Sequence, residues 1–235
     1  MKKIIYIFIF SFVFSFAYDF KTIKTPLLKV DDIYGYIKDN DDIKINSSGV
    51  VVSKFDDTKS IIARASVIEK KDGMAKLEFR VFDMLEQPAL PLPNILPQVG
   101  DEVVLNYLYN RAFILAPNEK TYNYIENKLS NMQFTHIDVF GAQLIQDSVI
   151  SPARSDFRKF CSNNAIGLAI FALKDKAYVV DCQDFKTLYN IDIPNYNEVQ
   201  IPFYSRVGGY TKKFFDFDSQ EIGNYYKYYD FLINY

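Results

Sequence analysis

The sequence predicts an α+β protein in two parts: a small N-terminal antiparallel β-barrel or sandwich over 18–110, then an α/β domain over 111–235 with a β-hairpin and a C-terminal amphipathic helix. From Val30 to about Tyr109, apolar residues recur with a period of two, in short β-branched and aromatic runs parted by polar turns. After Asn110, runs with a helical period appear among the apolar strands. The 18 Tyr and 21 Phe, with no Trp, suit a strand-rich chain. A chain of 235 residues can bury one large core or two small ones, so it does not need many disulfides to fold.

In the first part the strand candidates are DIYGYI (32–37), GVVVSKF (49–55), IIARASVIEK (61–70) and AKLEFRVFDML (75–85). Asp72-Gly73 stands between the last two and signals a hairpin, because such turns require positive φ. The stretch PLPNILPQVGDEVVLNYLYNRAFILAP (91–117) reads as an extended entry held by Pro91, Pro93 and Pro97, a turn at Gly100, and a strand from Val103 to Tyr109. Asp101 and Glu102 are neighbours on that entry and would point to opposite faces, so they are a wet lip rather than a pair converging on a substrate.

In the second part, Ala112 to Leu115 reads as a strand, and Asn118 caps a helix to Leu129 with Tyr122, Ile125 and Leu129 on one stripe. Further helices are expected over 137–145 and 151–161, the latter opened by Ser151-Pro152 with proline in the first turn. Strands follow at Ile166–Leu173 and Ala177–Cys182 around a turn Lys174-Asp175-Lys176, and another at Val199–Val207 before Gly208-Gly209. The last helix carries a capping-box spacing, Asp218 with Glu221, and a stripe of Ile222, Tyr225, Tyr226, Tyr229, Leu232 and Ile233. Core packing explains that stripe more simply than a partner surface.

The N-terminus reads as an address. Lys2 and Lys3, the uncharged run Ile4–Phe16 and the ending Ser15-Phe16-Ala17 form a secretory signal cut between Ala17 and Tyr18. That run is too short to span about 30 Å of hydrocarbon as a helix. Past Ala17 the longest apolar stretch, Ala165–Leu173, is far below the roughly 18 residues a spanning helix needs, so the mature chain is expected to have no membrane span and to lie outside the cytoplasm, in the periplasm or at the cell surface. Taking Lys2 and Lys3 from 27 basic residues leaves 25 against 29 acidic ones, a net charge of about −4 with no basic face for nucleic acid.

Little in the sequence points to catalysis, and the chain reads as a non-enzyme with no cofactor. The lone His136 rules out a multi-histidine metal site and reads best as a capping or surface residue before Ile137-Asp138. The runs Asp39-Asn40-Asp41-Asp42 and Asp31-Asp32 lack the order of a calcium loop and read as solvated turns. Gly208-Gly209 has no Walker lysine behind it, and no Gly-x-Ser-x-Gly elbow is present. Two cysteines, Cys161 and Cys182, read first as a disulfide in an oxidising compartment, with two buried thiols or a redox pair as the alternatives.

Two long stretches, PLPNILPQVGDEVVLNYLYNRAFILAPN and DFRKFCSNNAIGLAIFALKDKAYVVDCQDFKTLY (156–189), resemble the N-terminal domain of the plasminogen-binding protein PgbA family, over about residues 18–215. The resemblance implies a surface or periplasmic protein with a protein partner, host plasminogen, and places Cys161 and Cys182 where the family pattern has its two cysteines. Plasminogen's kringle modules take lysine through an anionic pair, an aromatic trough and a cationic site. In the family this capture goes with a lysine-rich C-terminal extension, whereas the present sequence ends at Asn234-Tyr235. Capture would then need an internal lysine beside a carboxylate. Lys174-Asp175-Lys176 is the first candidate, as an exposed hairpin tip, and Lys212-Lys213 beside Asp216 the second; ordinary solubilising charges are the plainer reading of both. The other class of function is a periplasmic scaffold or assembly subunit of an envelope machine such as the flagellar motor.

Overall fold

The period-two residues of the first part build one curled antiparallel sheet. The computed structural model describes residues 20–84, 95–208 and 221–235. Seven strands make this sheet: β1 (Ile23–Pro26), β2 (Lys29–Asp31), β3 (Tyr34–Lys38), β4 (Ser48–Phe55), β5 (Thr58–Lys71), β6 (Met74–Arg80) and β7 (Glu102–Leu105), in the order β1-β7-β4-β5-β6-β3-β2. The two edge strands, β1 and β2, are consecutive in the chain and separated only by Leu27-Leu28. One short segment therefore reaches both edges, and the sheet has to curl. Alternate residues fill the inside: Ala63, Ala65 and Val67 from β5, Ala75, Leu77 and Phe79 from β6, Val103 and Leu105 from β7. A side chain at Gly35 would collide with the Phe79 ring and Leu27, so glycine lets the curl close over that ring. The Asp72-Gly73 turn has φ of 53° and 74°, the pair of positive values that joins β5 to β6 tightly.

The second sheet is mixed, in the order β12-β11-β10-β8-β9. Its strands are β8 (Arg111–Leu115), β9 (Gln133–Phe134), β10 (Leu168–Leu173), β11 (Lys176–Asp181) and β12 (Thr187–Asp192). Helices α1 (Glu119–Lys128), α2 (Ile137–Gln146) and α3 (Arg154–Asn164) lie between β8 and β10 in the chain, and α4 (Tyr225–Asn234) ends it. β8 pairs in parallel with both β9 and β10, and parallel pairing requires such crossovers. Every residue of β10 is buried, which is why it reads as an unbroken apolar run. The core between sheet and helices is aromatic, with Phe113, Phe140, Phe157, Phe160 and Phe171 in ring contact and Tyr225 and Tyr229 from α4 fully enclosed.

Several expected bounds change. The strand expected over 103–109 stops at Leu105, because Asn106 and Leu108 take left-handed φ of 57° and 62°. Pro152 precedes α3 instead of sitting in its first turn: Ala153 is the N-cap, and its N–H donates to Asp156 Oδ2 at 2.7 Å. No strand forms over 199–207; Gln200 and Tyr204 donate their N–H groups to the carbonyls of Pro117 and Ala116, outside any ladder. The strand at Thr187–Asp192 has no counterpart among the expected elements. α4 begins after its cap Asn224, whose Oδ1 accepts from Lys227 N at 2.9 Å, so Glu221 and Ile222 stand before the helix. Asp218, Gly209, Leu85, Pro91, Pro93 and the signal segment with its Ala17-Tyr18 cut lie outside the described residues.

Candidate functional site

Hairpin β10–β11 closes on Lys174 and Asp175, because Leu173 already pairs with Lys176. Lys174 takes a left-handed φ of 53°, which turns the chain within two residues. The tip is braced from below: Ile193 N donates to the Asp175 carbonyl at 2.9 Å, and Lys176 faces Asp192 across the ladder. Lys174 and Asp175 are exposed and Lys176 is half-buried. Among the described residues, none of these three side chains makes a hydrogen bond or ion pair. Lys128 at the end of α1 reaches the same end of the sheet, donating to the Asp192 carbonyl at 3.0 Å. Chemically the tip offers two ammonium groups flanking a carboxylate, which suits a partner that recognises lysine.

At its other end β11 enters a largely buried turn bonded to the first sheet, and nothing in the sequence marks it. Asp181 has no solvent exposure. Its Oδ2 accepts from Ser48 Oγ at 2.5 Å and Tyr109 OH at 2.6 Å, and its Oδ1 from the N–H groups of Gln183 and Asp184 at 2.9 and 2.7 Å. Ser48 N in turn donates to Tyr109 OH at 2.7 Å. Asp184 binds Arg64 at 2.8 Å and also accepts from Ser66 Oγ, while Arg80 lies 3.5 Å away and Gln183 Oε1 accepts from Arg64 at 2.8 Å. Burial pushes the Asp181 carboxyl above its ordinary range, only partly offset by its hydrogen bonds, and pushes the Tyr109 phenol up as well, helped by the Asp181 charge. The Asp181 and Asp184 carboxylates each accept several bonds from the same chain, so this cluster joins the two sheets, while Arg64 Nε and Gln183 Nε2 are buried in it without a hydrogen-bond partner among the described residues.

Cys161 on α3 and Cys182 in that turn are joined as a disulfide, with Cα atoms 6.1 Å apart. The remaining expectations fall on ordinary structure. His136 caps α2, its Nδ1 accepting from Asp138 N at 3.1 Å. In the acidic run, Asn40 Oδ1 accepts from the N–H groups of Asp42 and Ile43, and Asp39 pairs with Lys70 at 2.9 Å. Asp101 Oδ2 accepts from Gln98 N within its own turn, and Glu102 pairs with Lys59 on β5 at 3.4 Å. The two carboxylates are thus bonded apart. Among the described residues, no three His, Cys, Asp or Glu side chains converge as metal ligands would. Lys212, Lys213 and Asp216 lie outside the described residues.

A family model described as plasminogen-binding protein PgbA, N-terminal, matches residues 22–233 of the chain. Two curated relatives, both named plasminogen-binding protein PgbA and both from Helicobacter pylori, strains J99 and 26695, are each 26% identical over 196 residues. The alignment covers 82% of this chain and 43% of each relative, so the chain spans less than half the length of the curated relatives it matches. The matched span runs from the start of β1 into α4 and takes in both sheets, the disulfide and the lysine-bearing hairpin, and the chain belongs to the family of PgbA N-terminal domains.

Proposed function

We propose that this is an exported cell-envelope protein that captures host plasminogen through exposed lysines, with Lys174 and Lys176 supplying the ammonium groups and Asp175 the carboxylate. The single observation that carries the reading is the hairpin tip, where Lys174 and Asp175 are exposed and, among the described residues, none of the three side chains is tied to the protein's own structure. Such groups can be bound by a partner without first breaking an internal bond. Lys212 and Lys213 beside Asp216 are the second set. Export is supported by the signal-like segment 1–17 and by the Cys161–Cys182 disulfide, which needs an oxidising compartment. Among the described residues, no helix is long and apolar enough to cross a membrane. The role is binding without catalysis, in keeping with the names of the relatives.

The experiment is capture of plasminogen by the immobilised protein, with and without a soluble lysine analogue, repeated with Lys174→Ala and Lys176→Ala together. The expected result is capture that the analogue displaces and that falls at least about tenfold in the double variant, one lost charged contact being worth about 1.5–3 kcal/mol. Capture that ignores the analogue, or survives in the double variant, refutes the role given to the tip. A periplasmic scaffold in an envelope machine such as the flagellar motor would instead keep the tip inside the outer membrane. Labelling of Lys174 on intact cells separates the two, since a plasminogen receptor has to be reachable from outside.

A further inference from the structure

The bonds from the β11–β12 turn to β4, β5 and β6 start from Asp181, Gln183 and Asp184, and Cys182 sits among them. Ser48 of β4 and Tyr109 beyond β7 meet at Asp181, Arg64 of β5 also reaches Gln183, and Ser66 of β5 and Arg80 of β6 converge on Asp184. The turn is irregular backbone, steadied by Cys182 N donating to the Gly167 carbonyl at 3.0 Å and Phe185 N to the Asp181 carbonyl at 2.9 Å. The Cys161–Cys182 bond is its covalent tie to α3, and α3 also touches the turn through Arg158, which donates to the Asp184 carbonyl at 3.4 Å. Buried carboxylates are tolerated only where their donors are in place. A turn free to move relative to α3 would present these acids to β4 and β5 out of register.

We infer that formation of the Cys161–Cys182 bond gates the docking of the first sheet onto the second. With both thiols reduced, each sheet keeps its own apolar core while the polar joint between Asp181, Asp184 and strands β4 to β6 opens; oxidation closes it. In the closing step the two thiols give up two protons and two electrons to a disulfide donor, which leaves as its dithiol form, and one S–S bond forms as another breaks. Cys161 and Cys182 are both fully buried, so the closed bond is shielded from exchange and the device runs in one direction. The compartment in which it closes rests on the export proposed above, but the gating itself is independent of any partner.

Hydrogen exchange on the full chain tests this, comparing the oxidised protein with Cys161→Ser/Cys182→Ser and with Asp181→Ala, whose disulfide is intact. In both variants, exchange at Ser48, whose N–H donates across the joint to Tyr109 OH, should rise at least about tenfold, while that at 168–173 changes less than about threefold, as separate opening units would. The unmodified chain refolded with both thiols reduced should match the cysteine variant. The inference is overturned if the cysteine variant loosens only 161–185, if all strands loosen equally, or if Asp181→Ala leaves the Ser48 amide protected. Failure of both the cysteine variant and the reduced chain to form the β10–β11 ladder also counts against it, because the second core is expected to survive. Plasminogen is absent from the experiment, so its result and that of the capture assay fall independently.

Discussion

Strand β11 has a turn carrying aspartate and lysine at each end, and the two turns meet opposite fates. At the β10–β11 end, Lys174 and Asp175 are exposed and make no side-chain bond among the described residues. At the β11–β12 end, Asp181 is enclosed and Asp184 nearly so, each holding several donors. What separates them is the neighbour. The first turn is exposed and, among the described residues, is braced by a backbone bond from Ile193, while the second faces β4 and β5 of the other sheet. A carboxylate already saturated by its own chain contributes to architecture, and one left unsaturated is available to a partner.

The contrast can be broken or sharpened by substitution, and the largest effect is expected inside the joint. Arg64→Met removes the main partner of Asp184, leaving it with Ser66 and the more distant Arg80; chemical denaturation should show a loss of about 3–5 kcal/mol, as for other broken buried pairs. Replacing both cysteines by serine opens a link between residues 21 apart, and the same measurement should show a loss of about 3 kcal/mol. Tyr109→Phe deletes one donor to Asp181 and the acceptor of Ser48 N, so a smaller loss of about 1–3 kcal/mol is expected.

Smaller again is the surface cluster at Asp138. Burial pushes this carboxyl up, but bonds from the Arg206 backbone and side chain and from Ser205 outweigh it, and the net shift is downward. A lowered folded pKa means that its stabilisation is present above the ordinary carboxylate value and is lost as pH falls through the folded value. The Tm gap between the wild type and Asp138→Asn should therefore close in acid. Asp181 has the opposite sign: its folded pKa is raised, so its favourable contribution is complete below the unfolded value and is lost as pH rises through the folded one. The smallest effect on stability belongs to Lys174→Ala with Lys176→Ala, which should stay within about 0.5 kcal/mol while lowering the proposed capture at least about tenfold. A large loss of stability in that variant would erase the distinction between the two ends of β11.

Local chemistry was legible in the sequence. Asn118 caps α1 by accepting from Thr121 N at 2.8 Å, and Asp72-Gly73 closes its hairpin, because both depend on residues within a few positions of one another. β9 and β12 were not legible. β9 is two residues long, and β12, TLYNID, carries Asn and Asp and shows neither alternation nor an apolar run. The expected strand over 199–207 failed for the complementary reason: its amides found the carbonyls of Ala116 and Pro117, which no local pattern reveals. At the candidate site, the hairpin tip could be read because a charged turn between two apolar strands is exposed by its position.

By itself the sequence determined a period-two, strand-rich first part, the apolar strands and helices that follow, the address-like N-terminus and the family pattern with its two cysteines, all properties of neighbours or of composition, whereas a barrel or sandwich could not be told from the single curled sheet that forms. Only the tertiary structure decided which charges are spent. Ser48 and Asp181 are 133 positions apart, and Arg64 and Asp184 are 120, so their pairing depends on how the two sheets meet. Asp175 and Asp181 are alike as residues at the two ends of one strand. Burial against β4 and β5 makes one a structural acid, and its absence leaves the other exposed and, among the described residues, without a side-chain bond.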